Sequence, residues 1–194
     1  METVISKEEA REIKAKTAKP MLWVGIVSII MLFAGMTSAY IVRQAEGNWL
    51  YFDLPETFYV STAVIIASSL TMSAAQFSIK RDQLGLTSAM LVATLILGVS
   101  FAFLQFKAWG ELVDMGVFFA GRESNPAGSF LYTISGLHLA HLAGGLLALI
   151  FTSVKAFMKK YSADDHVGIG VAATYWHFLD ILWIYLLLFL VFIR

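Results

Sequence analysis

The sequence predicts an all-α, polytopic membrane protein, a bundle of five transmembrane helices. Five long apolar segments, near 21–42, 58–79, 86–106, 129–154 and 169–193, are separated by short polar turns. Each is close to or above the ~20 residues a helix needs to cross ~30 Å of hydrocarbon. Backbone groups in lipid must be satisfied within the segment, which selects helices over open strands. Composition agrees, with 58% hydrophobic and 14% charged residues in a chain of 194. Five such helices use almost the whole length and leave no room for a separate soluble domain.

Residues 1–19 are polar and read as a cytoplasmic N-terminal segment. They lack the apolar run of a secretory signal, and Glu2, Glu8, Glu9 and Glu12 depart from the acid-poor pattern of a mitochondrial presequence. Ser6-Lys-Glu-Glu9 has the form of a capping box, and Glu12 stands four residues before Lys16. A short surface helix over residues 6–17, stopping near Pro20, is therefore expected, the alternative being a frayed charged tail. From residue 20 to 194 the chain reads as the transmembrane domain.

On the second helix Ala63, Ala67, Thr71 and Ala75 form an i,i+4 row of small residues, and on the fourth so do Gly136, Ala140, Gly144 and Ala148. Such rows are expected to let helices approach closely, because lipid offers no hydrophobic drive between them. Wide apolar faces remain on every helix, too many for a five-helix bundle to hide, so they must meet lipid or a larger membrane partner. Basic residues set the orientation. Lys7, Arg11, Lys14, Lys16, Lys19, Lys80, Arg81, Lys155, Lys159 and Lys160 fall on one side, against Arg43, Lys107, Arg122 and Arg194 on the other. The excess predicts a cytoplasmic N-terminus and a periplasmic C-terminus, with Trp49, Tyr51, Phe52 and Trp109 in an outer interfacial belt.

Zero cysteines exclude disulfides and thiolate chemistry, and zero net charge argues against a nucleic-acid partner. Ionisable residues at membrane depth are the functional candidates. His138 and His141 lie three apart on the fourth helix, His177 and Asp180 three apart on the fifth. Counting along the helices places both pairs at similar depth, where they are able to face one another. A metal or haem site built from them is one reading. Only four histidines exist in the chain, however, and His166 falls in a loop beside Asp164 and Asp165. No helix core carries a Glu, so the Glu-x-x-His pattern of carboxylate di-iron bundles is missing. A short proton relay is another reading, without a continuous ladder of carriers. The favoured one is hydrogen bonding across helices that fixes register and grips lipid or a partner subunit. Gly98-Val-Ser100-Phe makes a poor nucleophile elbow, and prolines only at segment ends argue against the broken helices of transporters.

The same residues carry a family pattern. Tyr175-Trp-His-Phe-Leu-Asp-Ile-Leu-Trp183 resembles the Tyr-Trp-His-Phe-Val-Asp-x-x-Trp signature in the last helix of subunit III of haem–copper oxidases. Phe130-x5-Gly136-Leu-His138-x-x-His141-x-x-Gly144, Gly98-x-x-Phe101-x3-Gln105 and Met31-Leu-Phe-Ala-Gly-Met-Thr-Ser-Ala-Tyr40 are similar to motifs in three earlier helices of that family. The resemblance runs from about Trp23 to the C-terminus and covers the last five of the seven helices of mitochondrial-type subunits, as in short bacterial forms. Two family carboxylates tied to proton handling are replaced, one by Ile29 and one in the stretch Ala108-Trp109.

What the resemblance implies is a non-catalytic accessory subunit of a proton-pumping terminal oxidase in the bacterial inner membrane. It would pack on subunit I, bind phospholipid and keep the catalytic subunit active. Haems and copper would sit in subunits I and II, with no cofactor, metal or catalytic residue in this chain. His138, His141, Trp176, His177, Asp180, Trp183, Gln105, Gly136 and Gly144 are expected as structural, lipid or subunit contacts. The electron donor is expected to be cytochrome c, and a supercomplex with a quinol-oxidising complex fits the same role. The alternatives are subunit III of a quinol oxidase, a homologue associated with nitric oxide reductase, or a stand-alone haem protein ligated by His138, His141 or His177.

Overall fold

The computed structural model describes residues 7–162 and 166–193, with side chains from Lys16 onward. Its elements are α1 (Lys7–Ala45), α2 (Glu56–Ile79), α3 (Leu84–Asp114), α4 (Pro126–Phe157) and α5 (Val167–Phe192). All five contain a stretch long and apolar enough to cross a membrane, and no strand occurs among the described residues.

The first helix departs from expectation. It does not stop near Pro20 but runs through it without interruption. Proline removes the N–H that would bond the carbonyl of Lys16 and crowds that turn. Breaking the helix there would free several backbone groups just where the chain enters the apolar stretch. The continuous helix leaves fewer groups unsatisfied and is the better solution. Ser6 of the expected capping box, the Glu12 side chain, Asp164 and Asp165 lie outside the described residues.

Helices α2, α3, α4 and α5 close a ring in which each packs on the next and α5 returns to α2. Helix α1 stands outside the ring and touches only α4 and α5 among the described helices. Burial follows this arrangement. Half of the apolar window of α5 is enclosed against 22% for α1, so α5 is the central element and α1 the peripheral one. The alternation of directions gathers Lys16, Lys19, Lys80, Arg81, Lys155, Lys159 and Lys160 at one end of the bundle. Arg43, Lys107, Glu111, Asp114, Arg122 and Glu123 gather at the other.

Helix ends follow local chemistry. Asn125 caps α4, its side-chain oxygen accepting from Ala127 N at 3.0 Å with Pro126 at the first helical position. The same amide group accepts from Leu50 N and donates to the Asn48 carbonyl, tying the α1–α2 loop to the start of α4. At the end of α3, Gly116 takes φ +79°, Gly116 N donates to Val113 O and Val117 N to Leu112 O, both at 2.9 Å. That is a Schellman closure, and glycine is the residue that adopts its left-handed position without strain.

The expected small-residue rows are only in part the packed seams: on α2, Ala75 is buried and Thr71 Oγ1 shares a 2.8 Å hydrogen bond with Thr94 Oγ1 of α3, but the rest of the rows turns away. Ala63, Ala140 and Gly144 are exposed, and an added Cβ at Gly136 or Gly144 would meet nothing closer than 3.7 Å. Steps of four drift about 40° around a helix with every repeat, so such a row leaves its neighbour within three steps. The buried seam of α2 alternates threes and fours through Phe58, Ser61, Ile65, Ser68, Met72, Ala75 and Ile79. Close approach on α4 is made by Gly145, one position along from Gly144. A Cβ there would lie 3.0 Å from Leu179 and 3.3 Å from Trp176.

Candidate functional site

The family-type residues of α5 are held by hydroxyls of α2. Ser61 and Thr62 stand seven residues before Ser68 and Ser69, which puts both pairs on one face of α2. Trp176 and Trp183 are likewise seven apart on α5. The antiparallel helices bring the sets together: Trp176 Nε1 donates to Ser68 Oγ at 3.0 Å and Trp183 Nε1 to Thr62 Oγ1 at 2.9 Å. Gln105 of α3 joins the same face of α2, its Nε2 donating to Ser61 Oγ at 2.9 Å.

The indoles are fully enclosed. Trp176 presses into a slot that exists because α3 and α4 have glycine at positions 98 and 145, and a Cβ on Gly98 would fall 2.6 Å from the Trp176 ring. Trp183 stacks on Phe58 with ring centres 6.1 Å apart and meets the edge of Phe101 at 5.2 Å. His138 fills the remaining side of that aromatic cluster, 5.1 Å from Trp183 and 6.0 Å from Phe101. Neither of its ring nitrogens has a hydrogen-bond partner among the described residues.

The other polar candidates look in different directions. His141 turns towards α1, where Phe33 meets its ring at 5.7 Å, and its Nδ1–H donates to the Leu137 carbonyl at 2.7 Å. Tyr175 donates its hydroxyl to the His141 carbonyl at 3.2 Å, which stitches α5 to α4. His177 faces α2, sharing a 2.7 Å hydrogen bond with Ser69 through Nδ1 and a 3.4 Å one with Ser73 through Nε2. Asp180 is 2% exposed with the Ser69 hydroxyl beside it, and neither of its oxygens has a hydrogen-bond partner among the described residues.

Similar depth for the two pairs is what the packing gives, since Trp183 reaches His138 and Leu179 reaches Gly145. The pairs do not face each other, however. The α4 histidines look into the aromatic cluster and at α1, while His177 and Asp180 look at α2. A spacing of three residues separates side chains by about 60° around a helix, enough to send each to a different neighbour. Among the described residues no three His, Asp or Glu side chains converge as a group able to hold a metal ion.

Gly136 rests on the Trp109 ring at 3.7 Å, and Trp109 Nε1 donates to Ser135 Oγ at 3.1 Å. Where the resemblance had a missing carboxylate, Ala108 is fully buried, and Ile29 packs partly buried against the core. The α2 hydroxyls that receive these side chains were not singled out from sequence. Their seven-residue repeat, matched to the seven between the tryptophans, is a signal the sequence carries for them.

Comparison with known proteins gives the same frame. The profile of the cytochrome c oxidase subunit III family matches residues 51–193. A probable cytochrome c oxidase subunit 3 of Mycobacterium tuberculosis is 33% identical over 181 residues, covering 88% of this chain and 85% of that one. The corresponding protein of Nocardia farcinica is 32% identical, over 90% and 86% of the two chains. The cytochrome bo(3) ubiquinol oxidase subunit 3 of Pseudomonas aeruginosa is 28% identical, over 84% and 78%. With the motif residues occupying the seams between α2, α3, α4 and α5, and relatives matched along most of its length, the chain belongs to the cytochrome c oxidase subunit III family of haem–copper oxidase subunits.

Proposed function

We propose that the chain is a non-catalytic accessory subunit of a proton-pumping haem–copper oxidase in a bacterial inner membrane. It packs on the catalytic subunit I and stabilises it. The observation that carries this reading is how the motif residues are used: Trp176, Trp183, Gln105 and His138 are spent on holding α2, α3, α4 and α5 together. Haems and copper belong to subunits I and II in this reading, and this chain binds none. The N-terminus faces the cytoplasm, on the strength of the basic residues gathered at that end of the bundle.

Phospholipid binding is part of the proposal. A groove of about 460 Å³ between α1, α4 and α5 is lined by Leu22, Ala148, Phe151, Val171 and Tyr175, with Lys155 at the end of α4. An acyl chain suits the apolar walls and a lipid phosphate the ammonium group. Broad apolar surface elsewhere, Phe103 at 79% and Leu70 at 68% among it, suits lipid or subunit I.

Cytochrome c is the favoured electron donor because the mycobacterial and nocardial relatives carry the cytochrome c oxidase name. A quinol donor is the second reading, favoured by the Pseudomonas relative. Pull-down of the tagged chain in mild detergent, with a reduced-minus-oxidised spectrum and mass spectrometry, tests the assignment. Oxidase haem bands with subunits I and II are the expected result. Cytochrome c or a quinol-oxidising complex among the partners would identify the donor side. A chain that arrived alone carrying its own haem would overturn the proposal.

A further inference from the structure

Helix α5 is the most enclosed of the five, yet one stripe along it is open. Helices α1 and α2 flank it without touching each other, so a trench runs between them with α5 as its floor. Ile181, Tyr185 and Leu188 lie along that floor, Ile181 at 67% exposure. Hydrogen bonds mark the two walls. Ser69 and Ser73 of α2 meet His177 on one side, and Thr37 of α1 meets Tyr185 at 3.2 Å on the other.

Both walls keep hydrogen-bonding capacity that faces outward. The Ser73 hydroxyl gives its proton to the Ser69 carbonyl at 3.0 Å, so towards His177 it is an acceptor. That puts the imidazole proton on Nε2 and lets Ser69 donate to Nδ1 at 2.7 Å. At 3.4 Å the Nε2–Ser73 bond is weak, and Ser73 is exposed with His177 partly so, which leaves Nε2–H open to a better acceptor. Thr37 likewise commits its proton to the Phe33 carbonyl at 3.0 Å. The Tyr185 O–H therefore donates to Thr37, and the exposed Tyr185 oxygen keeps its lone pairs for a donor from outside.

Lipid does not answer these groups. Ser73 lies seven residues in from Lys80, about 10 Å along the helix and inside the hydrocarbon, where acyl chains offer neither donor nor acceptor. The outer face of α3 is different: Ile96, Val99 and Phe103 are exposed there, and Ser100 satisfies itself on the Ile96 carbonyl at 2.8 Å. That face suits lipid, whereas polar groups left open at depth call for a protein neighbour. We propose that the trench between α1 and α2 is the docking groove for a transmembrane helix bearing an acceptor opposite His177 and a donor opposite Tyr185. The two lie eight residues apart on α5, about 12 Å, so the partner's polar residues have a similar spacing along one of its faces. The inference rests on the accessory-subunit reading and deepens it: the occupant is a helix of subunit I, seated in the trench and not on the α3 face. Two polar contacts at fixed spacing also select one register of that helix, which apolar walls alone would not.

Photocrosslinking of the full chain in its native membrane tests the groove. Benzoylphenylalanine is placed at Ile181, at Leu188 and, as the lipid-facing control, at Phe103. Adducts with subunit I from both trench sites and none from Phe103 are expected, with mass spectrometry placing them on one transmembrane segment. Adducts from Phe103 in place of the trench sites, trench adducts with a second copy of this chain, or adducts with lipid alone would overturn the proposal. Retention of subunit I in mild detergent gives a second measure. Tyr185→Phe keeps the ring and removes the acceptor, so association should weaken by about 3- to 30-fold, the range for one hydrogen bond in a membrane. Thr37→Val removes only the partner within the chain and should retain subunit I as wild type does. Equal retention by the two variants would count against the groove. A chain that purifies without any oxidase subunit overturns the accessory-subunit reading itself, an outcome distinct from an intact oxidase whose adducts come from another face.

Discussion

Replacing Gly98 by alanine adds one methyl group at the tightest contact in the ring. The new Cβ would lie 2.6 Å from Cη2 and 2.8 Å from Cζ2 of Trp176, and 3.0 Å from Leu146 Cδ2. The Leu146 methyl is able to rotate away. The indole is not: its Nε1, two bonds from Cζ2, is held by the 3.0 Å bond to Ser68, and its Cε3–Cζ3 edge lies against Gly145. Restoring ordinary contact needs close to an ångström of movement, which stretches that bond beyond use. Overpacking costs about 1–3 kcal/mol. The lost interhelical bond adds about 0.6–2 kcal/mol. The better helix propensity of alanine returns up to about 1 kcal/mol. The net expectation is a loss of about 0.6–5 kcal/mol, on the terms just given. The control is Gly144→Ala, where the nearest atom is the Tyr175 hydroxyl at 3.9 Å and the change should be neutral or slightly stabilising. Equilibrium unfolding of the two variants in mixed micelles makes the comparison. A Gly98→Ala protein as stable as Gly144→Ala would refute the slot as described. Loss in Gly98→Ala that did not depend on the indole, seen by repeating it in a Trp176→Phe background, would do the same.

Other changes separate polar effects from packing. Ser61→Ala should cost about 1–3 kcal/mol because it strands the amide of buried Gln105, whereas Gln105→Leu, which removes a group whose Oε1 already lacks a partner among the described residues, should cost less; the same unfolding assay ranks them. Asn125→Ala removes the α4 cap and both ties to the α1–α2 loop, an expected loss of about 0.5–2 kcal/mol, with hydrogen exchange rising at Leu50 and Ala127 ahead of the helix interiors. Phe33→Ala empties a side chain that is 1% exposed at the joint between α1 and α4. Because α1 touches only α4 and α5, the loss of about 3 kcal/mol should appear as faster exchange throughout α1 with α2–α5 unchanged.

The five helices were legible because span length and hydropathy are set by the bilayer, independently of packing. Their boundaries followed less closely: α1 runs on from Lys7 through Pro20, and α3 is longer than expected because Lys107 to Asp114 continues the helix beyond the apolar stretch. Which face turns inward was less legible. In water an apolar stripe marks the core, but a membrane helix is apolar outside as well as inside, so that contrast disappears. Small residues were the substitute signal, and they misled at Gly136 and Gly144, where there is room for a methyl group. They were decisive at Gly98 and Gly145, where there is none. The motif side chains were found from sequence, but not their partners. His177 and His141 are each three residues from a second polar candidate, and only the packing shows that the four point to three different places.

The hydroxyl row of α2 explains why polar residues sit at these positions in an apolar bundle. Trp176 with Ser68, and Trp183 with Thr62, pair two turns of α5 with two turns of α2. A slip of α5 by one residue would rotate its side chains by about 100° and take both indole N–H groups off their acceptors at once. Leucine or isoleucine at the same places would have nearly equal contacts after the slip, since dispersion between apolar side chains is indifferent to which methyl meets which. The bonds are individually modest, about 0.6–2 kcal/mol each. What they supply is a difference between the right register and its neighbours, and two that must fail together discriminate more sharply than either alone. The glycines then set distance where the hydroxyls set register: Gly98 and Gly145 admit Trp176 to the depth at which its Nε1 reaches Ser68. Changing either kind of residue should therefore disturb the other, which makes Gly98 and Ser68 a coupled pair although they share no direct contact.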